Sequence, residues 1–237
     1  MSLLMADPAA FPVEPPTDLS DAGVIVTHDW AAFDALDEVR DHWSRPHWPD
    51  GARAYYWMLT FQNEPQLSAL ALRCQKELAG LGMDSVSSDE GLHLTVTRVG
   101  RPEEISTRAL HALAETATSR LPGRFTLRVT PLAGSRGAVR FSVSPWEPLI
   151  RLHGVLTRIG RASSRAFTKP TASFRPHLSI GYHNRPRPAA AVIEAVAPLR
   201  ALAPVDVDIT SMQLVELRRT GREYRWDALR ELALPPR

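Results

Sequence analysis

The chain has 237 residues, 44% of them hydrophobic, enough for one large or two small domains around a packed core. Its formal net charge of +2 selects no partner by itself, and no apolar run approaches the roughly 20 residues of a membrane span. A single cysteine, Cys74, excludes an internal disulfide framework and fits a reducing, cytoplasmic setting.

The first twenty residues are rich in Pro, Ala and Asp, do not read as a secretory signal, and suggest a disordered or loosely draped arm. "HDWAAFDALDEVRDHW" repeats apolar residues every three to four positions and predicts a helix over 28–43, with Asp29 as its cap. "SRPHWPDG" breaks it, and "AYYWMLTFQ" reads as a strand. The helix predicted over 65–81 is the clearest in the chain: Leu67, Leu70, Ala71, Cys74, Leu78 and Leu81 trace one face, Pro65 suits the first turn and Gly82 the end. Cys74 sits on that apolar face as a buried thiol.

"LHLTVTRV" is a short β run, followed by a helix over 102–121. "FTLRVTP" and "AVRFSVSP" alternate and form a hairpin around "LAGSRG". "WEPLIRLHGVLTRIG" is helical again, and the loop "RASSRAFTKPTASF" leads into a second strand, "HLSIGY". After a short alanine-rich helix, "VDVDITSMQLVEL" and "EYRWDALREL" read as one antiparallel pair joined around Gly221. Strands that come both as hairpins and across helices predict an α+β fold of antiparallel sheets. The helices and hairpins recur with a duplication-like rhythm around "HLTV" and "HLSI".

Those two strands carry the chemistry. His93-Leu94-Thr95-Val96 and His177-Leu178-Ser179-Ile180 share one pattern, which the chain's composition and eight histidines would produce about 0.2 times by chance. Side chains alternate along a strand, so His93 and Thr95 share one face and His177 and Ser179 another. A single such strand is explained by a polar face meeting water; two, both led by histidine, call for a shared role. Imidazole has both protonation states accessible near neutrality, so one ring can accept a proton while the other donates one. Hydroxyls two residues on can donate to non-bridging phosphate oxygens, which completes the needs of phosphodiester cleavage.

If the strand extends back past Pro176, parity places Arg175 on the face of His177, where it is a candidate phosphate ligand or else a surface arginine; Thr97 shares the face of His93 or simply ends the strand. Tyr182 should point away from His177 unless a bulge at Gly181 turns it inward. From Pro148 to Ile193 there is no Asp or Glu, while Arg151, Arg158, Arg161, Arg165, Lys169, Arg175, Arg185 and Arg187 lie within that stretch. Such a field attracts polyanions.

With both motifs in view, the chain resembles the 2H phosphoesterase superfamily, which includes 2′-5′ RNA ligase-like proteins and cyclic nucleotide phosphodiesterases. Pro176 before the second motif and the separation of the two histidines also fit. The resemblance spans residues 51–237 and leaves 1–50 as an N-terminal extension with a disordered arm and one helix. It implies two pseudo-symmetric lobes of antiparallel sheet backed by helices, facing each other across a groove. It also implies His93 and His177 as an acid–base pair, Thr95 and Ser179 as phosphate donors, and no metal or other cofactor. The substrate would be a nucleotide or RNA phosphodiester, cyclic (2′,3′-type) or 2′-5′ linked, with no membrane partner.

Among other readings, a non-catalytic RNA-binding module would need no matched pair of titratable residues, and ligation would exchange the roles of the histidines. A metal site at His42 and His47 lacks supporting ligands. Glycine-rich nucleotide loops and a Gly-x-Ser-x-Gly element are absent. His28, His111 and His153 read as solitary structural residues.

Overall fold

The structure, a computed structural model, describes residues 4–163 and 170–236. In chain order the elements are α1 (Ala22–Asp34), β1 (Glu38–Val39), β2 (Arg53–Thr60), α2 (Pro65–Leu78), β3 (Asp84–Ser85), β4 (His93–Gly100), α3 (Thr107–Thr118) and β5 (Phe125–Gly134). There follow β6 (Ala138–Ser144), α4 (Glu147–Ser163), β7 (Leu178–Tyr182), β8 (Arg187–Pro188), α5 (Ala190–Val196), β9 (Val205–Ile209), β10 (Ser211–Thr220) and β11 (Glu223–Ala233). Two antiparallel sheets dominate, ordered β11-β10-β2-β4 and β3-β7-β6-β5-β9, and a small ribbon pairs β1 with β8. The fold is α+β, as expected, with one lobe built on each large sheet.

α2 begins with Pro65 in its first turn, buries Leu67, Ala71, Cys74 and Leu78, and ends through a short 3₁₀ turn at Gly82, which adopts the left-handed conformation. Burial raises the Cys74 thiol to about 11, so it stays protonated at neutral pH. Its neighbour Gln75 reaches across to the Ile180 and Val86 carbonyls at 2.8 and 2.6 Å.

The helices are exchanged between the lobes. α2 follows β2 of the four-stranded sheet yet packs against β7 and β9 of the five-stranded one. α4 follows β6 of the five-stranded sheet yet packs against β4 and α3 of the four-stranded one. The helix preceding each histidine strand therefore covers the other lobe, and one continuous core joins both sheets.

Three elements differ from expectation. The first helix starts at Ala22, because Asp21 supplies the cap, its Oδ1 accepting from the Val24 amide at 2.8 Å. Asp29 is instead buried within the helix, accepting from Ser142 Oγ at 2.8 Å, and Trp43 lies beyond the helix end. α3 starts at Thr107 rather than Pro102, since Ser106 caps it. "VDVDITSMQLVEL" is two strands in two sheets: β9 pairs with β5, and after Thr210 the chain crosses over so that β10 pairs with β2 and β11. Apolar alternation continues through the crossing and hides it.

Of the first twenty residues, read from composition as a disordered or loosely draped arm, 4–20 are draped over the fold with Leu4 and Ala10 buried, the Met5 amide donating to the Ala172 carbonyl and the Trp146 amide to that of Leu19. After α1, residues 41–50 pass over the mouth of the interlobe groove and are tied to both sides. The His42 amide donates to the His183 carbonyl (2.8 Å) and Trp43 Nε1 to Asp84 (2.8 Å), while Arg219 of β10 donates to the Trp43 and Trp48 carbonyls at 2.7 and 2.6 Å.

Two expectations follow for stability. A Cβ on Gly134 would stand 2.3 Å from the ring of buried Phe33, where α1 lies on β5. Gly134→Ala should cost about 1–3 kcal/mol in urea unfolding, and Phe33→Leu should recover part of that loss. His42 is held down to about 2, first by burial and then by the Arg45 charge, against an ordinary value of 6.5. It stays neutral in the fold but binds a proton when unfolded below pH 6.5. Its contribution is therefore intact above 6.5 and lost as pH falls toward 2, by about 1.4 kcal/mol per pH unit. Urea midpoints should fall between pH 6.5 and 4, and more gently in His42→Gln.

Candidate functional site

The two lobes enclose a groove of about 590 Å³. β4 forms one wall, at the edge of its sheet, and the β7 segment forms the other. His93 and Thr95 line it from β4; Ser179 lines it from β7 and His177 from the residue just before that strand. Their alternation partners Leu94, Val96, Leu178 and Ile180 are buried in the core, which fixes the register of both strands.

The two imidazoles are held in the same way. His93 Nδ1 lies 2.8 Å from the Gly91 carbonyl and His177 Nδ1 lies 2.9 Å from the Arg175 carbonyl, each two residues back. A carbonyl only accepts, so Nδ1 carries the proton in each neutral ring and Nε2 is the basic nitrogen. Gly91 is where the chain passes closest to the preceding loop: a Cβ there would meet the Ser87 backbone at 2.9 Å. Burial lowers the pKa of His93, opposed by its bond to Gly91, and the Trp226 ring packs edge-on against it at 5.2 Å.

A matched pair of bulges adds two residues to the walls. In the β2–β4 ladder Met58 pairs with Thr95 and Trp57 with Thr97, leaving Val96 as the extra residue. In the β6–β7 ladder Arg140 pairs with Ser179 and Val139 with Gly181, leaving Ile180 extra. Each bulge follows the hydroxyl residue of its motif and reverses the parity beyond it. Arg98 lines the groove in place of Thr97, which is buried, and Tyr182 turns inward. Both stand five residues after their histidine. That shared offset is visible in the sequence, where Gly181 hints at one of the two bulges and nothing hints at the other.

Arg175 is not brought to the groove. It is buried, and its guanidinium donates to the carbonyls of Met5, Pro12, Val13, Ala172 and Phe174, tying down the N-terminal arm. β7 begins only at Leu178, so strand parity does not reach back to Arg175; what serves the site is its carbonyl, which holds His177.

The remaining walls come from Tyr56, Arg101, Glu104, Leu217 and Tyr224, and from His42, Arg45, His47 and Trp48 of the segment over the mouth. Among the described residues, the arginines that line the groove are Arg45, Arg98 and Arg101. Of the basic stretch, Arg151, Arg158, Arg161, Arg185 and Arg187 lie outside its lining, and Arg165 and Lys169 lie outside the described residues. His153 is buried and stacked on Phe174 at 4.5 Å. Among the described residues no three His, Cys, Asp or Glu side chains gather as a metal site would need, and His42 is engaged with Arg45 and Tyr224 instead.

Comparison with known proteins bears on the fold and the family. A sequence search of the curated proteins finds no match. Among solved structures, E. coli LigT in its apo form superposes with a TM-score of 0.58 at 18% identity, covering 78% of this chain and 99% of that one. LigT complexed with 3′-AMP gives 0.57 at 18% identity, with the same shares covered. A protein of Thermus thermophilus gives 0.57 at 17%, covering 77% of this chain and 98% of that one. These likenesses show the fold. The family model of the 2′-5′ RNA ligase superfamily matches residues 62–221, a span that holds both histidine motifs, and the chain belongs to that superfamily.

Proposed function

We propose that the groove cleaves a phosphodiester of a nucleotide or RNA end, cyclic (2′,3′-type) or 2′-5′ linked, with His93 and His177 as general base and general acid. The observation that carries this reading is the matched pair of imidazoles, each turned to the same tautomer by a carbonyl two residues back and each followed by a hydroxyl on one shared groove. A binding module has no use for that match. The nucleotides held by LigT, 3′-AMP among them, support a nucleotide substrate.

Burial favours the neutral ring of His93 and suits it to the base role. Nε2 of His93 takes a proton from water as its oxygen attacks phosphorus. The bond from phosphorus to the 2′ or 3′ oxygen breaks, and that oxygen takes the Nε2 proton of His177. The rings then exchange protons with solvent and return to their starting states. Thr95, Ser179 and Arg98 donate to the non-bridging oxygens, where negative charge collects in the transition state. With a sugar hydroxyl in place of water as the nucleophile, the same step would join a 2′,3′-cyclic end to that hydroxyl, His93 taking the hydroxyl's proton and His177 protonating the leaving oxygen. No step draws on a metal or cofactor, and the single buried thiol suits a cytoplasmic setting.

Turnover of 2′,3′-cyclic nucleotides should persist in EDTA. His93→Ala and His177→Ala should each lower kcat by about 10²–10⁴. Turnover indifferent to both substitutions would remove the site; tight RNA binding with no turnover of any cyclic or 2′-5′ substrate would replace catalysis with binding.

The pH dependence of kcat/KM should be bell-shaped. Activity needs neutral His93, whose pKa lies below 6.5, so the acid limb should have its midpoint under 6.5. A profile rising steadily from pH 5 to 9 would contradict the acid–base pairing.

A further inference from the structure

The segment over the groove mouth supplies a polar chain that the proposed reaction does not use. Arg45 Nη2 lies 3.1 Å from His42 Nδ1, and His42 Nε2 lies 2.8 Å from the Tyr224 hydroxyl. A guanidinium only donates, so His42 Nδ1 accepts and Nε2 carries the ring proton. Nε2 then donates to the Tyr224 oxygen, which leaves the phenolic proton to point elsewhere. Burial of His42 keeps the ring neutral and this order of donors fixed. Tyr224 lines the groove, and no acceptor meets its proton among the described residues, so the substrate is where an acceptor would come from.

The geometry around this chain is rigid. His42 stacks on Tyr182 with ring centroids 4.0 Å apart, and Trp43, Tyr182 and Tyr224 pack on one another at 5.0 to 5.5 Å. The Arg219 bonds to the Trp43 and Trp48 carbonyls hold the segment from the opposite lobe. Tyr224 and Arg45, held at the two nitrogens of His42, therefore line one groove with a directed neutral donor and a cation, a combination that suits an anionic group.

Charge indicates which anion. Among the described residues, Arg45, Arg98 and Arg101 line the groove against one carboxylate, Glu104, an excess of two positive charges. Glu104 pairs with Arg98 and accepts from the Arg101 amide, whereas Arg45 has no carboxylate within ion-pair distance among the described residues. A cyclic or internal phosphodiester carries one negative charge, so one such group leaves part of this field unmatched. His42, Arg45 and Tyr224 also lie outside the span that matches the superfamily.

We propose that Arg45 and Tyr224, the latter oriented by His42, form a second phosphate subsite. It holds a phosphate group of the substrate other than the one that reacts between His93 and His177. The substrate class is thereby narrowed to nucleotides with two phosphate groups: a terminally phosphorylated nucleoside cyclic phosphate, or an oligonucleotide end whose neighbouring phosphodiester occupies the subsite. This rests on the phosphoesterase reading above, and the test separates the two.

Calorimetric titration with a nucleoside 3′-monophosphate and the matching 3′,5′-bisphosphate reads the subsite directly, without turnover. The bisphosphate is expected to bind at least tenfold more tightly to the wild-type chain. Arg45→Met, at an exposed position, and Tyr224→Phe, which removes one oxygen, are each expected to shrink that ratio at least threefold. Their affinity for the monophosphate should move much less than their affinity for the bisphosphate. A dinucleotide monophosphate bearing a 3′-phosphate serves as the third ligand; a gain matching the bisphosphate's points to an oligonucleotide end, and no gain to a terminal phosphate. Equal affinity for mono- and bisphosphate, or a preference that survives both substitutions, overturns the second subsite. If cyclic nucleotides are turned over all the same, the phosphoesterase reading stands without it. If no nucleotide binds, both fall.

Discussion

A neutral imidazole can carry its proton on either nitrogen, and the two forms have opposite uses. A backbone carbonyl removes the choice, because it can only accept. In this protein the carbonyls of Gly91 and Arg175 impose that condition on His93 and His177, so both rings offer Nε2 as the basic nitrogen to one groove. The rest of the fold can be understood as what keeps those two carbonyls in place. The Gly91 carbonyl is set by a close approach to the Ser87 backbone and the Val86 side chain that a side chain at 91 would block. The Arg175 carbonyl is set by its own guanidinium, anchored on five other carbonyls, three of them in the N-terminal arm.

The same constraint explains how much of the site can be read from the amino-acid sequence. His93, Thr95, His177 and Ser179 are legible because strand alternation is a rule of period two and holds over three residues without help from the rest of the fold. Arg98 is not, and Tyr182 is legible only where a bulge beside Gly181 is allowed for, because a one-residue bulge reverses parity and its cause lies in the partner strand's register. Arg175 is misplaced for a related reason: parity does not extend past Pro176 to a residue outside the strand. Its main chain serves the site while its side chain serves the arm.

The fold is legible to a similar depth. Helix periodicity and hairpin alternation reveal the order of the main elements, since both are local. Helix starts shift where a nearer cap, Asp21 or Ser106, outcompetes the residue that periodicity suggests. The split of "VDVDITSMQLVEL" between two sheets is invisible locally, because both halves bury alternate residues. The docking of residues 41–50 over the groove rests on contacts with Asp84, His183 and Arg219, far off in sequence, and no periodic pattern announces them.

The exchange of α2 and α4 between lobes bears on how such a fold could have arisen. Each lobe has its sheet covered by a helix that belongs, in chain order, to the other. A half-length chain with one histidine motif would lose the helix lent by the other lobe and leave its own without that seat, and a second copy, trading helices with the first, would restore both. If the repeated rhythm of elements records a duplication, the unit duplicated was therefore already half of an intertwined pair. Fusion would then have made permanent an association that the half-chain could not do without.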